Sequence, residues 1–493
     1  MKRLVLSLFL CFVGVYAITS SGRARAIDEY MIYFQTESLA KELSLSVAQA
    51  ESLGVWYGRS GQDGQAYAPY GPAHAALLVP GYWAGVGLTR LPQVPDTSHD
   101  LLRVFAVVMS NALLGALLVC VFLVLLCRGG ASPSLAVTSA LGLGFGTLVW
   151  PYSGTLFSEL WSGLLLLLAA LALERATRAS TLMWGALLAG ICLAVAILVR
   201  PVHALAVPVF AGALLLARGT PGARFGASFA LGAAAAVGLA ALLFLNWHQY
   251  GSPWEFGYPE QAEGGRSLNS FETPLWLGLF GFLFSPGKSV LLFTPLLVAA
   301  SLGLPRLWRE RRPLALVSGG CMVSYLLFYS GYTQWEGGYC YGPRYLLPVL
   351  PLALLGLGTC KNARVVVGFA WLGVLVQVPG VFTSFLEEQV GGARYYDAAH
   401  NYQLLHQPWL GQMQLFIQYT LEALHGDALA APLGKGLDLW WIYLAKGGVP
   451  WSWILTWLGI PVILLVAGAV WLIQLFSAQS RPDAGAESPR RAG

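Results

Sequence analysis

Apolar stretches recur along the whole chain, and each is close to or somewhat shorter than the ~20 residues that a helix needs to cross a bilayer. We count twelve of them, at residues 4–20, 101–127, 133–150, 160–174, 181–199, 203–217, 225–245, 288–305, 313–330, 345–359, 365–384 and 450–476. Charged residues make up only 11% of the 493-residue sequence, against about 25% in soluble domains. The pattern predicts an all-α polytopic membrane protein with about 12 transmembrane helices.

The loops between these stretches differ in charge. Basic residues concentrate in short loops on one side, including Arg175 and Arg178, the run from Arg306 to Arg312, and Lys361. Because Lys and Arg favour cytoplasmic loops, this pattern places both termini in the cytoplasm and segments 21–100, 246–287 and 385–449 outside the plasma membrane. The net charge of +5 is spread over these loops and forms no basic face, so we predict a membrane partner and no nucleic acid.

The outer segments contain further helical patterns. A pattern from Met31 to Leu53 fits an interfacial helix in the first outer loop, and the apolar runs at 73–89 and 274–284 are predicted to be interfacial or re-entrant. We divide the chain into a transmembrane module (1–384) that includes the first outer loop (21–100), an outer loop with short helices (385–449), a last transmembrane helix (450–476) and a disordered cytoplasmic tail (477–493).

The N-terminal segment has two interpretations. Small residues around Arg23 and Arg25 resemble a signal-peptide cleavage site, but basic residues directly before Ala26 disfavour cleavage, so an uncleaved first span is favoured. The seven cysteines show no CxxC spacing, and neither a disulfide framework nor a zinc site is indicated.

Charged side chains stand at several outer ends of the apolar stretches. Asp28 and Glu29 follow the first stretch, Glu159 precedes the fourth, and Arg200 and Arg344 lie at outer ends where basic residues are disfavoured. Charge beside a span is costly, so each is a functional hypothesis. The remaining candidates nearby are Asp63, Tyr67, Tyr70, His74, Tyr152, His203, Lys288, Glu336 and Tyr345.

Each of these residues also has a structural alternative. Asp28 and Glu29 would suit the first turn of an interfacial helix, and the long cationic side chains could extend to lipid headgroups. Tyrosines are often interface anchors, and a histidine in such a place more often packs than binds a metal. Three outer cations together are harder to explain structurally.

The carboxylates, cations and aromatic residues at the outer ends together indicate a particular chemistry. A carboxylate can remove a proton from a hydroxyl, arginine can hold a phosphate through its planar fork, and aromatic rings can lie against sugars. These groups at a membrane surface suit the movement of a sugar from a lipid phosphate to an acceptor.

Five segments in register carry a family resemblance. They are Asp28-Glu29, Asp63 to Pro80, Tyr152 to Glu159, Leu198 to Pro201, and Trp335 to Pro348. In order and spacing they resemble the GT-C glycosyltransferases, near the protein O-mannosyltransferases and the lipid A aminoarabinose transferases. The resemblance covers roughly residues 1–350, and the soluble outer domain of several relatives has no counterpart after the last spans.

The resemblance implies a GT-C-like bundle and a sugar donor linked to a polyprenyl phosphate, with transfer by inversion. Asp28 would be the general base, while Glu29 and Glu159 would position substrate or a divalent cation. Arg200, Arg344 and Lys288 would bind the leaving phosphate. No cofactor is required by the sequence, although carboxylates suit a divalent cation. The sugar, the acceptor and the lipid length are not implied.

The main alternative is a transporter or flippase for a lipid-linked sugar or another anion. It would use the same outer cations but predicts ionisable residues at mid-membrane depth and paired half-helices, and the predicted spans contain almost no ionisable residues. A membrane scaffold without catalytic activity would leave the outer charges unexplained.

Overall fold

The computed structural model describes residues 1–53, 58–178, 182–258, 270–387, 398–405, 407–430 and 432–479. The helices of seven or more residues that lie wholly in these ranges are α1 (Lys2–Thr19), α2 (Ile27–Glu42), α3 (Pro72–Leu88), α4 (His99–Arg128), α5 (Pro133–Phe145), α6 (Glu159–Arg178), α7 (Leu182–Val199), α8 (Ala206–Leu215), α9 (Pro221–Tyr250), α10 (Leu275–Phe284), α11 (Leu296–Glu310), α12 (Arg312–Gly331), α13 (Ala363–Phe382), α14 (Pro408–Leu424), α15 (Trp440–Lys446) and α16 (Trp451–Gln479). The segment predicted to be a disordered tail lies, from residue 480 onward, outside the described residues.

Shorter elements connect these helices. Single α-helical turns form at Val149–Tyr152, Val290–Phe293 and Leu350–Ala353, and 3₁₀-helices form at Ala48–Leu53, Asp96–Ser98, Pro201–Leu205, Arg344–Val349, Leu354–Thr359, Ala398–Tyr402 and Asp427–Leu429. Two short strands, β1 (Arg59–Ser60) and β2 (Ala66–Tyr67), pair antiparallel as a hairpin in the first loop.

The prediction of an all-α multi-pass membrane protein is confirmed. Eight helices in the described residues are long and apolar enough to cross a bilayer, namely α1, α4, α6, α7, α9, α12, α13 and α16. They coincide with eight of the twelve predicted stretches. The other four are short or broken helices, so the structure does not support a count of twelve full spans.

Proline accounts for two of the broken stretches. Pro295 separates the turn Val290–Phe293 from α11, so residues 288–305 are not one helix. The stretch 345–359 contains Pro348 and Pro351, and it forms a 3₁₀–α–3₁₀ succession in place of a regular helix. These interruptions do not change hydropathy, which is why the apolar pattern alone predicts spans there.

Small residues set the closest helix contacts. α1 packs against α16, where a Cβ on Gly14 would stand 2.7 Å from the carbonyl oxygen of Pro461 and one on Gly468 would stand 2.6 Å from that of Ser7. α5 packs against α13 in the same way, since Gly373 lies against the backbone of Gly146. Close backbone approach through glycine is typical of helices in membranes.

The helix ends place several charged residues together at one end of the bundle. α6 begins at Glu159, α7 ends one residue before Arg200, and α2 begins next to Asp28. The 3₁₀ turn that starts at Arg344 packs against α6 and α12.

Candidate active site

Two buried ion pairs form the centre of the site. An Nη of Arg344 lies 3.0 Å from Oδ2 of Asp28, although the two residues are 316 positions apart. An Nη of Arg200 lies 3.1 Å from Oε1 of Glu159. The side chain of Glu159 is fully buried, whereas that of Asp28 is 22% exposed. Asp28 is therefore the carboxylate that a second molecule can reach.

Aromatic rings join the two ion pairs. The Tyr345 ring lies 5.2 Å from the guanidinium carbon of Arg344 and 5.7 Å from that of Arg200. Phe157 lies 4.6 Å from the guanidinium of Arg344, and Tyr329 stacks on Tyr345 with ring centres 4.4 Å apart. Cation–π contacts of this kind are strongest when water is excluded, so the rings hold both arginines within one cluster.

Tyr258 is a further member of the cluster. Burial raises the pKa of its phenol, and the nearby charges of Arg200 and Asp28 then shift it in opposite directions. Arg344 and Glu159 also act on it electrostatically. Tyr258 is therefore close enough to both ion pairs for their charges to act on it.

Helix ends stabilise one of these pairs. Glu159 is in the first turn of α6, where a negative charge is favoured by the helix dipole, and Arg200 follows the last turn of α7, where a positive charge is favoured. The same local features make both residues suitable as structural charges, and Arg200 lies across the Tyr345 ring from Arg344.

Several polar atoms of the cluster are buried without a hydrogen-bond partner among the described residues. They are Oε2 of Glu159, Nε of Arg344 and both ring nitrogens of His74. Such atoms are rare in proteins because an unpaired buried polar group is costly. Their position at the ion pairs fits contacts to a bound polar ligand.

Two histidines flank Arg200. Burial and the charge of Arg200 lower the pKa of His74 to about 3, so its imidazole is neutral at physiological pH. Nδ1 of His203 lies 2.7 Å from the phenol oxygen of Tyr325. Neutral imidazoles next to arginine leave the positive charge available to an anion and add no charge of their own.

Glu29 is placed differently from its neighbour Asp28. One of its oxygens accepts from the backbone amides of Arg25 (2.8 Å) and Ala26 (3.2 Å), and the other accepts from the amide of Leu156 (2.7 Å). Burial raises its pKa, although Arg25 and these amides oppose the shift. The structure therefore gives Glu29 a capping role at the start of α2, with both carboxylate oxygens accepting from backbone amides.

Lys288 also differs from the sequence-based expectation. It is fully buried, and its ammonium donates to the carbonyl oxygens of Cys340 (3.1 Å) and Gly342 (3.3 Å) and to the Cys340 sulfur (3.1 Å). An ammonium has three donors, and all three are used. Lys288 therefore holds the loop that leads to Arg344 and does not itself present a donor to phosphate.

Two other predicted residues lie in or against that loop. Glu336 is buried within it. Tyr152, in the turn Val149–Tyr152, is buried and donates its hydroxyl hydrogen to the carbonyl of Tyr341 at 2.9 Å. Tyr152 therefore supports the backbone that carries Arg344.

The predicted hairpin residues make their side-chain hydrogen bonds at the turn. Asp63 accepts hydrogen bonds from the hydroxyl of Tyr67 (2.7 Å) and the amide of Gln65 (3.0 Å) at the exposed turn. The bond from Tyr67 lowers the pKa of Asp63, while burial and the same bond raise the pKa of Tyr67 to about 12. Tyr70, a few residues on, is buried against α2 by the bond that its carbonyl accepts from Gln35 (3.2 Å).

A third ion-pair group lies next to the site and is not predicted by the sequence. Asp438 is buried between Arg23 (2.7 Å) and Arg25 (3.0 Å), and Arg25 also donates to the carbonyl of Gly154. This group ties the segment after α1 to the segment before α15 and to the chain that precedes α6. Arg23 and Arg25 look in the sequence like part of a cleavage site, and no local signal relates them to Asp438.

The carboxylates are a poor match for a divalent cation. Asp28 and Glu159 are paired with arginines, and the oxygens of Glu29 accept from backbone amides. Among the described residues, no group of three or more His, Cys, Asp or Glu side chains is arranged to hold a metal ion.

Comparison with known proteins finds similarity at the level of structure. A crystal structure of ArnT from Cupriavidus metallidurans bound to undecaprenyl phosphate is similar with a TM-score of 0.48 and 15% identity, over 97% of this chain and 80% of that one. A second crystal structure, of ArnT from the same organism in the apo state, is similar with a TM-score of 0.49 and 14% identity, over 95% and 74%. No family model and no curated protein matches the sequence.

Proposed function

We propose that this protein transfers a sugar from a polyprenyl-phosphate-linked donor to a hydroxyl group of an acceptor at the outer face of the membrane. The observation that carries the proposal is the contact between the partly exposed carboxylate of Asp28 and the buried guanidinium of Arg344, beside a second arginine. This is a base next to an anion site.

The arginines supply the anion site. Arg344 has one Nη on Asp28 and an Nε without a hydrogen-bond partner among the described residues, so part of its fork remains for a phosphate oxygen. Arg200 adds a second positive charge across the Tyr345 ring. When the bond between the sugar and the phosphate breaks, the lipid phosphate leaves with the electron pair. Charge that develops on the leaving oxygen is stabilised there.

Asp28 supplies the base. It removes the proton from the acceptor hydroxyl while that oxygen attacks the anomeric carbon from the face opposite the phosphate, so the configuration inverts. Glu159 holds Arg200 in place. No step is assigned to a divalent cation.

Undecaprenyl phosphate, which is bound in one of the two ArnT crystal structures, is a suitable lipid probe. The test compares envelope lipids and glycans by mass spectrometry in cells with and without the gene. The proposal predicts that, without the gene, one lipid-linked sugar accumulates and one envelope glycan or lipid lacks the mass of that sugar.

The transporter alternative predicts a different distribution. A flippase defect would leave the lipid-linked sugar on the cytoplasmic leaflet, and adding that lipid-linked sugar to purified wild-type protein with acceptor would yield no product. Product formation by the purified protein would contradict the transporter alternative, and its absence with every accumulated donor would contradict the proposed function.

A further inference from the structure

A cleft lies beside the ion-pair cluster. It is partly open to solvent, and Tyr258 lines it as well as contributing to the cluster. Pro201, which follows Arg200 in the chain, forms part of its wall. The cleft therefore lies next to the arginines that would hold a phosphate.

The walls of the cleft are fixed by contacts among three elements. The hairpin of the first loop is attached to the end of α9 by the bond from the amide of Gln62 to the carbonyl of Gln249 (2.8 Å). An ion pair of 2.7 Å between Arg59 and Glu255 attaches it to the following segment. Gly71 packs so closely on the end of α7 that an added Cβ would stand 2.0 Å from the carbonyl of Leu198.

The lining has the chemistry of a site for an uncharged sugar ring. Among the described residues that form it, none is Asp, Glu, Lys or Arg, in contrast to the cluster next to it. Its polar edges are the amides of Gln35, Asn246 and Gln249 and the phenols of Tyr250 and Tyr258. Apolar walls with a few fixed polar groups are typical of sites for small molecules, and the aromatic rings add amphipathic surface.

Gln35 indicates that the occupant is polar. Its side chain is 97% buried, since only 3% is exposed. Nε2 donates to the carbonyl of Tyr70 (3.2 Å), while Oε1 has no hydrogen-bond partner among the described residues. A hydrocarbon group against this oxygen would offer no hydrogen bond to offset the cost of removing the oxygen from water. A sugar hydroxyl would donate a hydrogen bond to it.

We infer that the cleft binds an uncharged sugar ring of the substrate through Gln35, an inference that rests on the proposed function. Donor and acceptor sugars share this chemistry. Charged sugars, such as amino sugars or uronic acids, lack a partner among the described lining residues and bind less tightly.

The test measures dissociation constants in nanodiscs for wild type and Gln35→Leu. The probes are undecaprenyl phosphate alone, undecaprenyl phosphate linked to a neutral hexose, to an amino sugar or to a uronic acid, and a free neutral trisaccharide. Gln414→Leu, on the exposed face of α14, is the matched control. Gln249→Leu, at a half-buried lining position, is used if Gln35→Leu does not fold.

We expect the neutral hexose to improve binding over the bare lipid by about tenfold, the scale of one or two net hydrogen bonds. Gln35→Leu should abolish this gain, without changing the affinity for bare undecaprenyl phosphate. If the neutral hexose on the lipid adds no affinity but the free trisaccharide binds in a way that depends on Gln35, the cleft holds the acceptor sugar and the inference stands.

Three results would overturn the inference. The wild-type protein could bind a charged sugar more tightly than the neutral one, or the affinity gained from the neutral sugar could persist in Gln35→Leu. The third is tighter binding of bare undecaprenyl phosphate by Gln35→Leu, which would make the cleft a site for the prenyl chain. Failure of the proposed function looks different, because the purified wild-type protein would then form no product from any accumulated donor, whichever probe it binds.

Discussion

The residues of the site differ most in their access to solvent. Asp28 and Glu159 each pair with an arginine at about the same distance, but only Asp28 is partly exposed. Glu29, adjacent to Asp28 in sequence, is buried with both oxygens on backbone amides. Solvent exposure therefore distinguishes Asp28, which can contact an acceptor, from Glu29 and Glu159, which position other groups.

Arg344 offers a prediction at this scale. Replacement by Ala removes a charged hydrogen-bond donor worth about 1.5–3 kcal/mol, so undecaprenyl phosphate should bind about tenfold or more weakly. Arg344→Lys should restore only part of the affinity, because an ammonium lacks the planar fork. Binding titrations in nanodiscs check both. Affinity equal to wild type in Arg344→Ala would exclude a phosphate contact.

At the scale of structural elements, the loop from Glu336 to Arg344 depends on side chains outside it. Lys288 and Tyr152 both bond to its carbonyls, and Gly342 has a φ of +59°, a backbone conformation that favours glycine. The direction of the Arg344 side chain therefore depends on Lys288, Tyr152 and Gly342 as well as on its own position in the chain.

Replacement of Lys288 tests whether it supports this loop or binds phosphate directly. Lys288→Met leaves the carbonyls of Cys340 and Gly342 unpaired in a buried place, at a cost of about 1–3 kcal/mol for each such group. We expect a clearly lower melting temperature and a smaller loss of undecaprenyl phosphate affinity than in Arg344→Ala. Lys361→Met, at an exposed position, is the control. Unchanged stability with a large loss of affinity would instead make Lys288 a ligand of phosphate.

The Asp438 group links two elements and gives a prediction about pH. Burial alone would raise the pKa of Asp438, but the charges and hydrogen bonds of Arg23 and Arg25 lower it below its ordinary value. A carboxyl with a lowered pKa stabilises the fold fully above its unfolded pKa of about 4, and this contribution is lost as pH falls through the folded pKa.

Asp438→Asn should therefore lower the melting temperature by a similar amount from about pH 8 to about pH 5, because a broken buried pair costs about 3–5 kcal/mol. The difference from wild type should shrink only at more acid pH. Asp427→Asn, at an exposed position in the same outer segment, should change little. A difference that grows on acidification would show that the ion pairs do not stabilise the fold.

For the molecule as a whole, apolar patterns predict the long helices but not the tertiary pairing. Hydropathy identifies the eight long helices because a helix that crosses the lipid must be apolar along its whole length. It fails at 345–359, where prolines interrupt the backbone without reducing hydropathy. The sequence also marks Asp28, Glu159, Arg200 and Arg344 as unusual charges. Which carboxylate meets which arginine depends on packing between helices distant in sequence, as in the pair of Asp28 with Arg344.

Other members of the site have no sequence signal. Tyr258 and Phe157 look like ordinary interface aromatics, and only the fold brings them to the arginines. Asp438 stands in a loop that carries no motif, yet it neutralises two arginines near the N-terminus. Long-range electrostatic partners of this kind can be found only from the structure.

The orientation of the molecule is also testable. Positive residues favour the cytoplasmic side, so Asp63→Cys and Ala430→Cys should both react with a membrane-impermeant maleimide on intact cells, and Arg218→Cys should not. The wild-type protein controls for the native cysteines, which are buried or half-buried in the structure. Labelling of only one of the two outer positions would break the predicted topology.

Sugar transfer by Asp28→Asn tests the central claim most directly. Purified protein in nanodiscs is supplied with the lipid-linked sugar that accumulates in cells without the gene, and released undecaprenyl phosphate is measured. Loss of the base should reduce turnover by about 10²-fold or more while undecaprenyl phosphate still binds, and Asp96→Asn, whose side chain is 99% exposed, should behave like wild type. Turnover by Asp28→Asn at the wild-type rate would contradict the assignment of Asp28 as the base and of this cluster as the active site.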